Sequence, residues 1–530
     1  TYRFFGDTIT GKAVVLNGGF EQFDKRHVLE KYGYYDKMPI TAFFTADSPE
    51  LAACGQKITA ADSGSLYRAV RGNGKTDIRA EIAKPGLYLI TLRLTAYDNP
   101  TGKVAINCND EKKTTMDSVP AQSVTTVIFS QWLDRKELNI ELNGDYQVST
   151  LSLQQMLTPF EDFQFRRSFW RIADCFEPSF MYSSRSFTPP VYAVWTDNMP
   201  LTPHSLKMPD DYELKMDHDV LLPPNDEKMA WRYNSSIGSL GPGNNANFEE
   251  FNTPEKVEKR IQELKSEKVN TIIVNGYLSR HLFKEELPRV TERLKAITEA
   301  AHRQGMKVID HQDLTLLWNM GNGFRVLTAN PGLLMRYIDS GSPTWGFCLN
   351  NPEFRKGFFN NAIALIKETG IDGMMVDEVS FFDPKFCGCP HCRVRFHKDT
   401  GLTLPTNDAD PALFNLKDPF WKIWLAWRIK SVGDWWVDFR REINKVRPDF
   451  TLMNYTTHYG WRSTYASLTQ GVSLNEKGRA ADFQGTEIMS RNVMVSRRPV
   501  MSYRMMKSAI GYEHGKPIFG LIYPNNDWNI

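Results

Sequence analysis

The hydrophobic pattern of the chain changes its period near residue 227. Before about residue 157, short apolar runs alternate with polar positions and are separated by turn signals such as KPG, DNPTG and NGD. This pattern predicts an all-β sandwich of the jelly-roll type over residues 1–157. Residues 158–226 are rich in Pro, Ser, Asp and aromatic residues, and we predict a linker that wraps the next domain.

From residue 227 onward, strand-length apolar runs alternate with helical patterns. The predicted strands are KMAWRYNSS, VNTIIVNGY, MKVIDHQDLT, a fourth that ends at Asp377–Glu378, FTLMNYTTHYGW, AADFQGTEIMS and KPIFGLIYPNNDW. Strands joined by helices at this spacing predict an α/β TIM (β/α)8 barrel over residues 227–530, with a doubly wound sheet as the alternative. An eighth strand is missing, so we expect the natural polypeptide to continue beyond Ile530.

The bulk composition excludes some classes of partner. Lys and Arg number 64 against 62 Asp and Glu, and no basic stripe is visible, which argues against nucleic acid. No apolar stretch reaches the roughly 18 residues of a membrane span. The chain begins TYRFFGD, without Met, and we expect a periplasmic or secreted protein whose signal peptide has been removed.

The fourth predicted strand ends in two adjacent acids, Asp377 and Glu378. Catalytic groups of parallel α/β folds collect at this end of the strands. Reactions that need an acid and a base at one site commonly use a pair of carboxyl groups. Neighbours on a regular strand face opposite sides, so only one of these acids would reach a pocket unless a bulge turned both inward. We predict Glu487, near the end of the sixth strand, as the second carboxyl, with Glu476 and Asp482 as weaker alternatives.

Polar and aromatic side chains follow several other predicted strands, and such a ring suits a sugar better than an apolar cofactor. The alternative for His311 is a purely structural histidine. The residues predicted to contact the substrate are Trp231, Arg232, Asp310, His311, Asp313, Asn454, His458, Trp461, Tyr503, Arg504 and Tyr523.

A compact cysteine cluster follows the two acids. Cys387, Cys389 and Cys392 fall within six positions, and Cys348 lies upstream. Thiolates at this spacing converge on a zinc ion, with Cys348 as the fourth ligand and His391 as its substitute. Four protein ligands leave no open position, so the predicted zinc is structural and would pin the long loop after the fourth strand.

The segment from Cys348 to Cys392 resembles glycoside hydrolase family 42, the β-galactosidases of a large clan of retaining TIM-barrel enzymes. In that family an Asn-Glu pair ends the fourth strand, the Glu is the general acid/base, and four cysteines in this arrangement hold a structural zinc. The resemblance implies the acid/base role for Glu378. The sequence departs from the family because Asp377 replaces the Asn, and because the seventh strand, IFGLIYPNN, has no acid at the family's nucleophile position.

The stretch DGMMVDE also resembles the DG-x-x-x-D strand of fucosidase-like and galactosidase-like barrels. In those, the fourth-strand Asp is the nucleophile and the acid often comes from a later strand, which implies Asp377 and Glu487 here. We therefore predict an exo-acting glycoside hydrolase for non-reducing-end galactose- or fucose-type sugars of glycans. The alternatives are a non-catalytic carbohydrate-binding protein on a degenerate barrel and a zinc-ribbon interaction module, and a homo-oligomer stays open.

Overall fold

The computed structural model describes residues 2–4, 7–9, 40–62, 65–82, 85–133, 136–157, 194–200, 212–215, 227–241, 251–275, 287–315, 331–405, 410–455, 463–488, 504 and 517–522. The chain forms two compact units. The first comprises residues 1–212, 317–348 and 385–422, and the second comprises residues 213–316, 349–384 and 423–530. Within the described ranges, every helix is too short or too polar to cross a lipid bilayer.

The secondary structure follows in chain order. The elements as far as the second unit are β1 Tyr2–Phe4, β2 Asp7–Ile9, β3 Ile40–Thr45, α1 Pro49–Ala52, β4 Gln56–Asp62, β5 Ser65–Glu81, β6 Gly86–Ala96, β7 Val104–Cys108, β8 Glu111–Met116, β9 Ser123–Leu133, β10 Glu137–Leu157 and β11 Trp195–Pro200. They are followed by a 3-10 helix Glu227–Asn234, β12 Ile237–Ser239, α2 Pro254–Ser266, β13 Thr271–Asn275, α3 Leu287–Arg303, β14 Lys307–Asp313, a 3-10 helix Pro331–Leu333, β15 Leu334–Arg336, β16 Pro343–Phe347, α4 Pro352–Thr369, β17 Gly373–Asp377, α5 Pro390–Thr400, α6 Pro419–Asn444, β18 Thr451–Asn454, α7 Ser463–Gln470, α8 Leu474–Gly478, β19 Phe483–Ile488 and β20 Ile518–Ile522.

The first unit is built on an antiparallel sheet. Its strands lie in the order β11-β9-β6-β10-β5-β4, while β3 and β7 also pair with β10 and β8 pairs with β7. One large apolar cluster is buried against these strands, with Ile90, Leu92, Phe129 and Ile140 among its fully buried members. The described residues of this part are rich in β-strands, as predicted, with one short helix, α1, whereas the jelly-roll topology stays a prediction.

Two details of this sheet differ from the sequence prediction. NGD is not a turn, because β10 runs through it and Gly144 pairs with Gly74 of β5. Gly144 has φ of +136°, and a Cβ there would lie 1.9 Å from the carbonyl oxygen of Lys103, so the glycine permits a close approach of two backbones. The predicted linker is also wrong at β11, which pairs with β9 as a strand of the sheet.

Residues 317–348, which follow β14 in the sequence, and residues 385–422, which follow β17, belong to the first unit. The first of them contains the antiparallel β15–β16 hairpin. Arg93 of β6 donates to the carbonyl of Asp339 at 2.7 Å, and Gln154 of β10 donates to the carbonyl of Pro343 at 3.1 Å. These hydrogen bonds satisfy turn carbonyls that would otherwise be buried without a donor, and they fix the hairpin to the antiparallel sheet.

The second unit contains a seven-stranded parallel sheet in the order β12-β13-β14-β17-β18-β19-β20. Each strand therefore lies beside the next strand of this sheet in the sequence, as the β–α rhythm predicts. Ile237 of β12 and Phe519 of β20 come from opposite ends of this order, yet both pack on one cluster, so the sheet is curled. We call the face that carries this cluster the inner face. The cluster consists of Ile273, Ile309, Met375, Met453, Tyr455 and Phe483. Closure by an eighth strand stays a prediction.

Helix ends in the second unit follow their capping residues. The side chain of Thr253 accepts a hydrogen bond from the backbone N–H of Lys256, and Pro254 occupies the first helical position of α2. Asn351 caps α4 in the same way, and Gly370 ends it in the left-handed conformation at φ of 72°. These local signals determine where each helix begins and ends.

The first predicted strand of the barrel is wrong. KMAWRYNSS forms a 3-10 helix, and the strand is β12, three residues long. The buried Arg232 forms an ion pair with Asp482, which also pairs with the buried Arg440. Trp231 lies 6.3 Å, ring to ring, from Phe483, the first residue of β19. Asp482 and Phe483 lie at the amino end of β19. Trp231 and Arg232 therefore lie at the opposite end of the sheet from the carboxyl ends of the strands, where catalytic groups collect, and this position argues against them as substrate contacts.

We expect Asp482→Asn to destabilise the protein strongly. The change leaves the buried guanidinium groups of Arg232 and Arg440 with a neutral partner, and breaking such a buried pair costs about 3–5 kcal/mol. Asp438→Asn is the matched control, because Asp438 pairs with Arg355 but is 42 % exposed. Exposed pairs contribute about 0–1 kcal/mol. Equal falls in the thermal and urea midpoints of the two variants would contradict this account.

Candidate active site and cysteine centre

Three ionisable side chains meet on the inner face at the carboxyl ends of β14 and β17. Asp313 and Asp377 are register partners on these adjacent strands. His311, two residues earlier on β14, has its Nε2 atom 3.9 Å from Asp313 Oδ1 and 3.7 Å from Asp377 Oδ2. All three side chains are buried. The structure thus brings together three of the residues that the sequence singled out.

Glu378 follows Asp377 in a left-handed backbone conformation, with φ of 53°. Its N–H donates to Asp377 Oδ1 at 2.7 Å, and its carbonyl accepts hydrogen bonds from the backbone N–H and the hydroxyl of Thr315. A non-glycine residue in this conformation costs about 1 kcal/mol or more. This local turn, rather than a strand bulge, keeps both acids buried at the strand end.

Lys477 is a site residue that the sequence analysis missed. It lies in the short helix α8, is fully buried, and its Nζ atom has no hydrogen-bond partner within the described part of the chain. Burial lowers the pKa of Lys477 from 10.5 to about 8, and the negative charges of Asp377 and Glu378 oppose that shift. The stretch NEKG looks like an exposed polar turn, so no local signal separates this lysine from a surface one.

Glu487 lies in β19, with its backbone in register with Leu521 of β20. The sheet order places β19 two strands from β17. Its side chain falls outside the described part of the structure, so its pairing with Asp377 or Glu378 stays a prediction.

Asp310 and Asn454 point to the face opposite the inner face. Gln312 donates to Asp310 Oδ2 at 3.1 Å and contacts Met374, while Asn454 donates to Gln484 at 2.6 Å. Side chains alternate along a strand, and the neighbours Ile309 and Met453 belong to the inner cluster. Both residues therefore lie in strands of the site but on the opposite face from His311, Asp313 and Asp377, which argues against them as substrate contacts.

The remaining predicted contacts are not placed at the site. Arg504 is exposed. The others fall outside the described residues, and these are His458, Trp461, Tyr503 and Tyr523.

The four predicted cysteine ligands converge in the first unit. The Sγ atom of Cys348 lies 3.4 Å from that of Cys389, 3.5 Å from that of Cys392 and 3.8 Å from that of Cys387. All four are buried. Four sulfurs around a tetrahedral zinc, each about 2.3 Å from the ion, would be separated by about 3.8 Å. The donor set and its spacing therefore fit a metal of this kind, and His391 is not needed as a ligand.

The backbone around the cysteines explains their convergence. Gly388 donates its N–H to the carbonyl of Arg336 at 2.8 Å, and a Cβ at Gly388 would lie 2.6 Å from Ile338 Cα. Only glycine therefore allows the Cys-Gly-Cys loop to rest on the β15–β16 hairpin. Cys389 is the N-cap of α5, and its sulfur accepts the backbone N–H of Cys392 at 3.4 Å.

The thiols of this cluster differ in acidity. Burial is the main cause that raises the pKa of Cys348 and Cys392. Burial acts in the same direction on Cys389, but hydrogen bonds from the other three cysteines outweigh it and lower its pKa well below the usual range. A buried thiolate among three thiols favours a bound cation, because metal binding requires deprotonated sulfur and compensates its charge.

Comparisons with known proteins give distant structural similarity only. No protein-family model matches the chain, and no curated protein matches it. The glycoside hydrolase domain of PgaB (BpsB) from Bordetella bronchiseptica is 16% identical, covering 50% of this chain and 77% of that one at a TM-score of 0.35. A cycloisomaltooligosaccharide glucanotransferase from Paenibacillus sp. is 11% identical, covering 86% of this chain and 52% of that one at a TM-score of 0.37.

A β-galactosidase from Rahnella sp. R3 is 13% identical, covering 51% of this chain and 41% of that one at a TM-score of 0.35. The matched region covers 77%, 52% and 41% of these three solved chains, respectively. At such low identities and TM-scores, function has to be inferred from the site itself.

We expect Cys389→Ser to reduce bound zinc from about one equivalent to well below one, and to lower the thermal midpoint by about 5–10 °C. The physical reason is that the ion organises a buried loop. Cys54→Ala is the matched control, because Cys54 is also a buried free cysteine, but its thiol contacts the carbonyls of Glu50 and Asp77 and not the cluster. Metal analysis and thermal melts measure both effects. Wild-type protein without zinc under non-chelating conditions would contradict the prediction.

We expect Lys477→Met to stabilise the protein below pH 8. The folded pKa of about 8 lies below the ordinary 10.5, so the unfolded chain binds the proton more tightly. The buried ammonium ion then costs about 3 kcal/mol below pH 8, and this cost disappears as the pH rises from 8 to 10.5. Urea midpoints of both proteins over that pH range measure it. Lys445→Met, at a lysine 65 % exposed, should show no such dependence.

Proposed function

We propose that the protein is a glycoside hydrolase whose active site lies at the carboxyl ends of β14, β17 and β19. The observation that supports this is the buried group of Asp313, Asp377 and Glu378 at the strand ends of a parallel sheet. Buried carboxyl groups are costly and often occur at functional sites, and this end of the strands is where such folds carry their chemistry.

The reaction needs one carboxyl group to protonate the leaving oxygen and another to attack the anomeric carbon or activate water. We assign one of these roles to the Asp377–Glu378 pair and the other to Glu487. Asp313 is the alternative partner, because its carboxylate oxygen lies within 4.8 Å of that of Asp377. A retaining enzyme would hold its two carboxyl groups roughly 5–5.5 Å apart, and an inverting one roughly 6.5–9.5 Å.

The finer parts of the proposal rest on the family resemblance in the sequence. They are exo-action on non-reducing-end galactose- or fucose-type sugars and an oligosaccharide or glycan substrate. A periplasmic or secreted location is a separate part of the proposal. We also propose a structural zinc in the cysteine cluster, which the spacing of its four sulfur atoms supports. The second candidate, a carbohydrate-binding protein without activity, is favoured by one observation, namely that strand β20, Ile518–Ile522, contains no acid.

We expect the purified protein to cleave at least one member of a panel of aryl glycosides in both anomeric forms. Glu378→Gln and Glu487→Gln should each lower kcat/KM by about a thousandfold, and thermal melts of both variants check that they fold. Asp310→Asn is the control, since it removes a buried carboxylate from β14 on the opposite face. Binding of oligosaccharide without turnover, unchanged in Glu378→Gln, would favour the carbohydrate-binding alternative.

A further inference from the structure

The group formed by His311, Asp313 and Asp377 has the composition of a second metal site. Their donor atoms all lie within 4.8 Å of one another, and all three side chains are buried. Asp313 and Asp377 are held by the backbone register of β14 and β17, so their positions do not depend on a flexible loop. None of these residues belongs to the cysteine cluster.

Hydrogen bonds outside the group fix the state of the His311 ring. Ser239 donates its hydroxyl proton to the carbonyl of Gly241 at 2.6 Å, so its oxygen must accept from the amide of Asn275, 3.0 Å away. Asn275 therefore turns its Nδ2 towards Ser239 and its Oδ1 towards His311. That oxygen lies 2.6 Å from His311 Nδ1, which must be the donor.

In the neutral imidazole, the proton on Nδ1 leaves Nε2 with a lone pair. Nε2 lies 3.9 Å from Asp313 Oδ1 and 3.7 Å from Asp377 Oδ2. These separations are too long for hydrogen bonds. An ion equidistant from the three donor atoms would lie about 2.1–2.5 Å from each, which is the range of metal–oxygen and metal–nitrogen bonds.

We propose that His311, Asp313 and Asp377 bind a divalent cation of the Mn²⁺ type. An imidazole nitrogen that donates through its other nitrogen to an amide oxygen is the arrangement of a metal ligand oriented by an outer hydrogen bond. One nitrogen and two carboxylate oxygens suit a first-row dication, whereas the four thiols of the cysteine cluster select zinc. Three protein donors leave further positions of a six-coordinate ion for water or for a substrate hydroxyl.

Lys477 opposes such a cation. Its buried amine interacts electrostatically with Asp377 and Glu378, so a protonated Lys477 and a dication would compete for the same negative charge. The site would then bind its cation more weakly than its donor set allows, and removal of the lysine should strengthen binding.

The cation site does not depend on the proposed glycosidase activity. It does bear on that activity, because a cation on Asp377 would leave Glu378 as the reacting carboxyl group at the end of β17. A divalent ion beside the acids would also offer a contact for a sugar hydroxyl.

Titration with Mn²⁺, followed by the loss of the free-ion electron paramagnetic resonance signal, tests the proposal. The cysteine cluster is first supplied with zinc and the excess zinc is removed, so that only the group of His311, Asp313 and Asp377 is left to bind Mn²⁺. We expect about one Mn²⁺ per chain at sub-millimolar concentration, with spin-echo modulation from one imidazole nitrogen. Asp313→Asn should weaken binding by about a hundredfold.

Asp310→Asn, on the same strand but on the opposite face, should bind Mn²⁺ as the wild type does. Lys477→Met should bind it about tenfold more tightly, and a gain of affinity cannot result from misfolding. Absence of Mn²⁺ binding in the wild type, equal binding in Asp313→Asn, or no imidazole coupling would overturn the site. None of these measurements uses turnover. Their outcomes therefore do not decide whether the protein is a glycoside hydrolase.

Discussion

The alternation of side chains along parallel strands in register controls the chemistry of the second unit. Pairing of β14 with β17 sets Asp313 beside Asp377, and the period of two then puts His311 on the same face and Asp310 on the other. A slip of one residue would exchange these sets and place Asp310 and Gln312 at the site instead. The inner cluster of Ile309, Met375 and Met453 prevents that slip, because it would move apolar side chains off the core.

Two buried charge arrangements at opposite ends of the sheet illustrate different uses of burial. At the amino end, Asp482 satisfies Arg232 and Arg440 and accepts the backbone N–H of Leu452, so its charge is fully compensated. At the carboxyl end, Lys477 is buried near Asp377 and Glu378 without a hydrogen bond from the described residues. The first arrangement is typical of charges that stabilise the fold. The second is a buried charge that destabilises the fold, and such groups are common at functional sites.

The two donor sets that could hold metals differ in origin as well as in chemistry. The cysteine cluster is built from one hairpin end and one helix start, and its spacing is visible in the sequence as C-x-C-x-x-C. The His311 group comes from two strands that are 64 residues apart between Asp313 and Asp377. Only strand pairing makes these residues neighbours, so no motif search would have grouped them.

The sequence by itself determined what depends on local periodicity, capping and spacing. The alternation of apolar residues predicted the all-β first part and the β–α rhythm, Thr253 and Gly370 marked helix ends, and the cysteine spacing predicted the four-sulfur cluster. The stretch KMAWRYNSS, predicted as a strand, instead forms a 3-10 helix, and the strand β12 follows it.

Tertiary structure alone decided which of the predicted polar residues share a face, and which end of the strands each one occupies. Arg232 and Asn454 failed as site residues because their partners, Asp482 and Gln484, are distant in the sequence. Lys477 was missed for the same reason, since its burial and its electrostatic partners arise from packing. Local sequence encodes how a segment folds, but the long-range register of the sheet decides which charges meet.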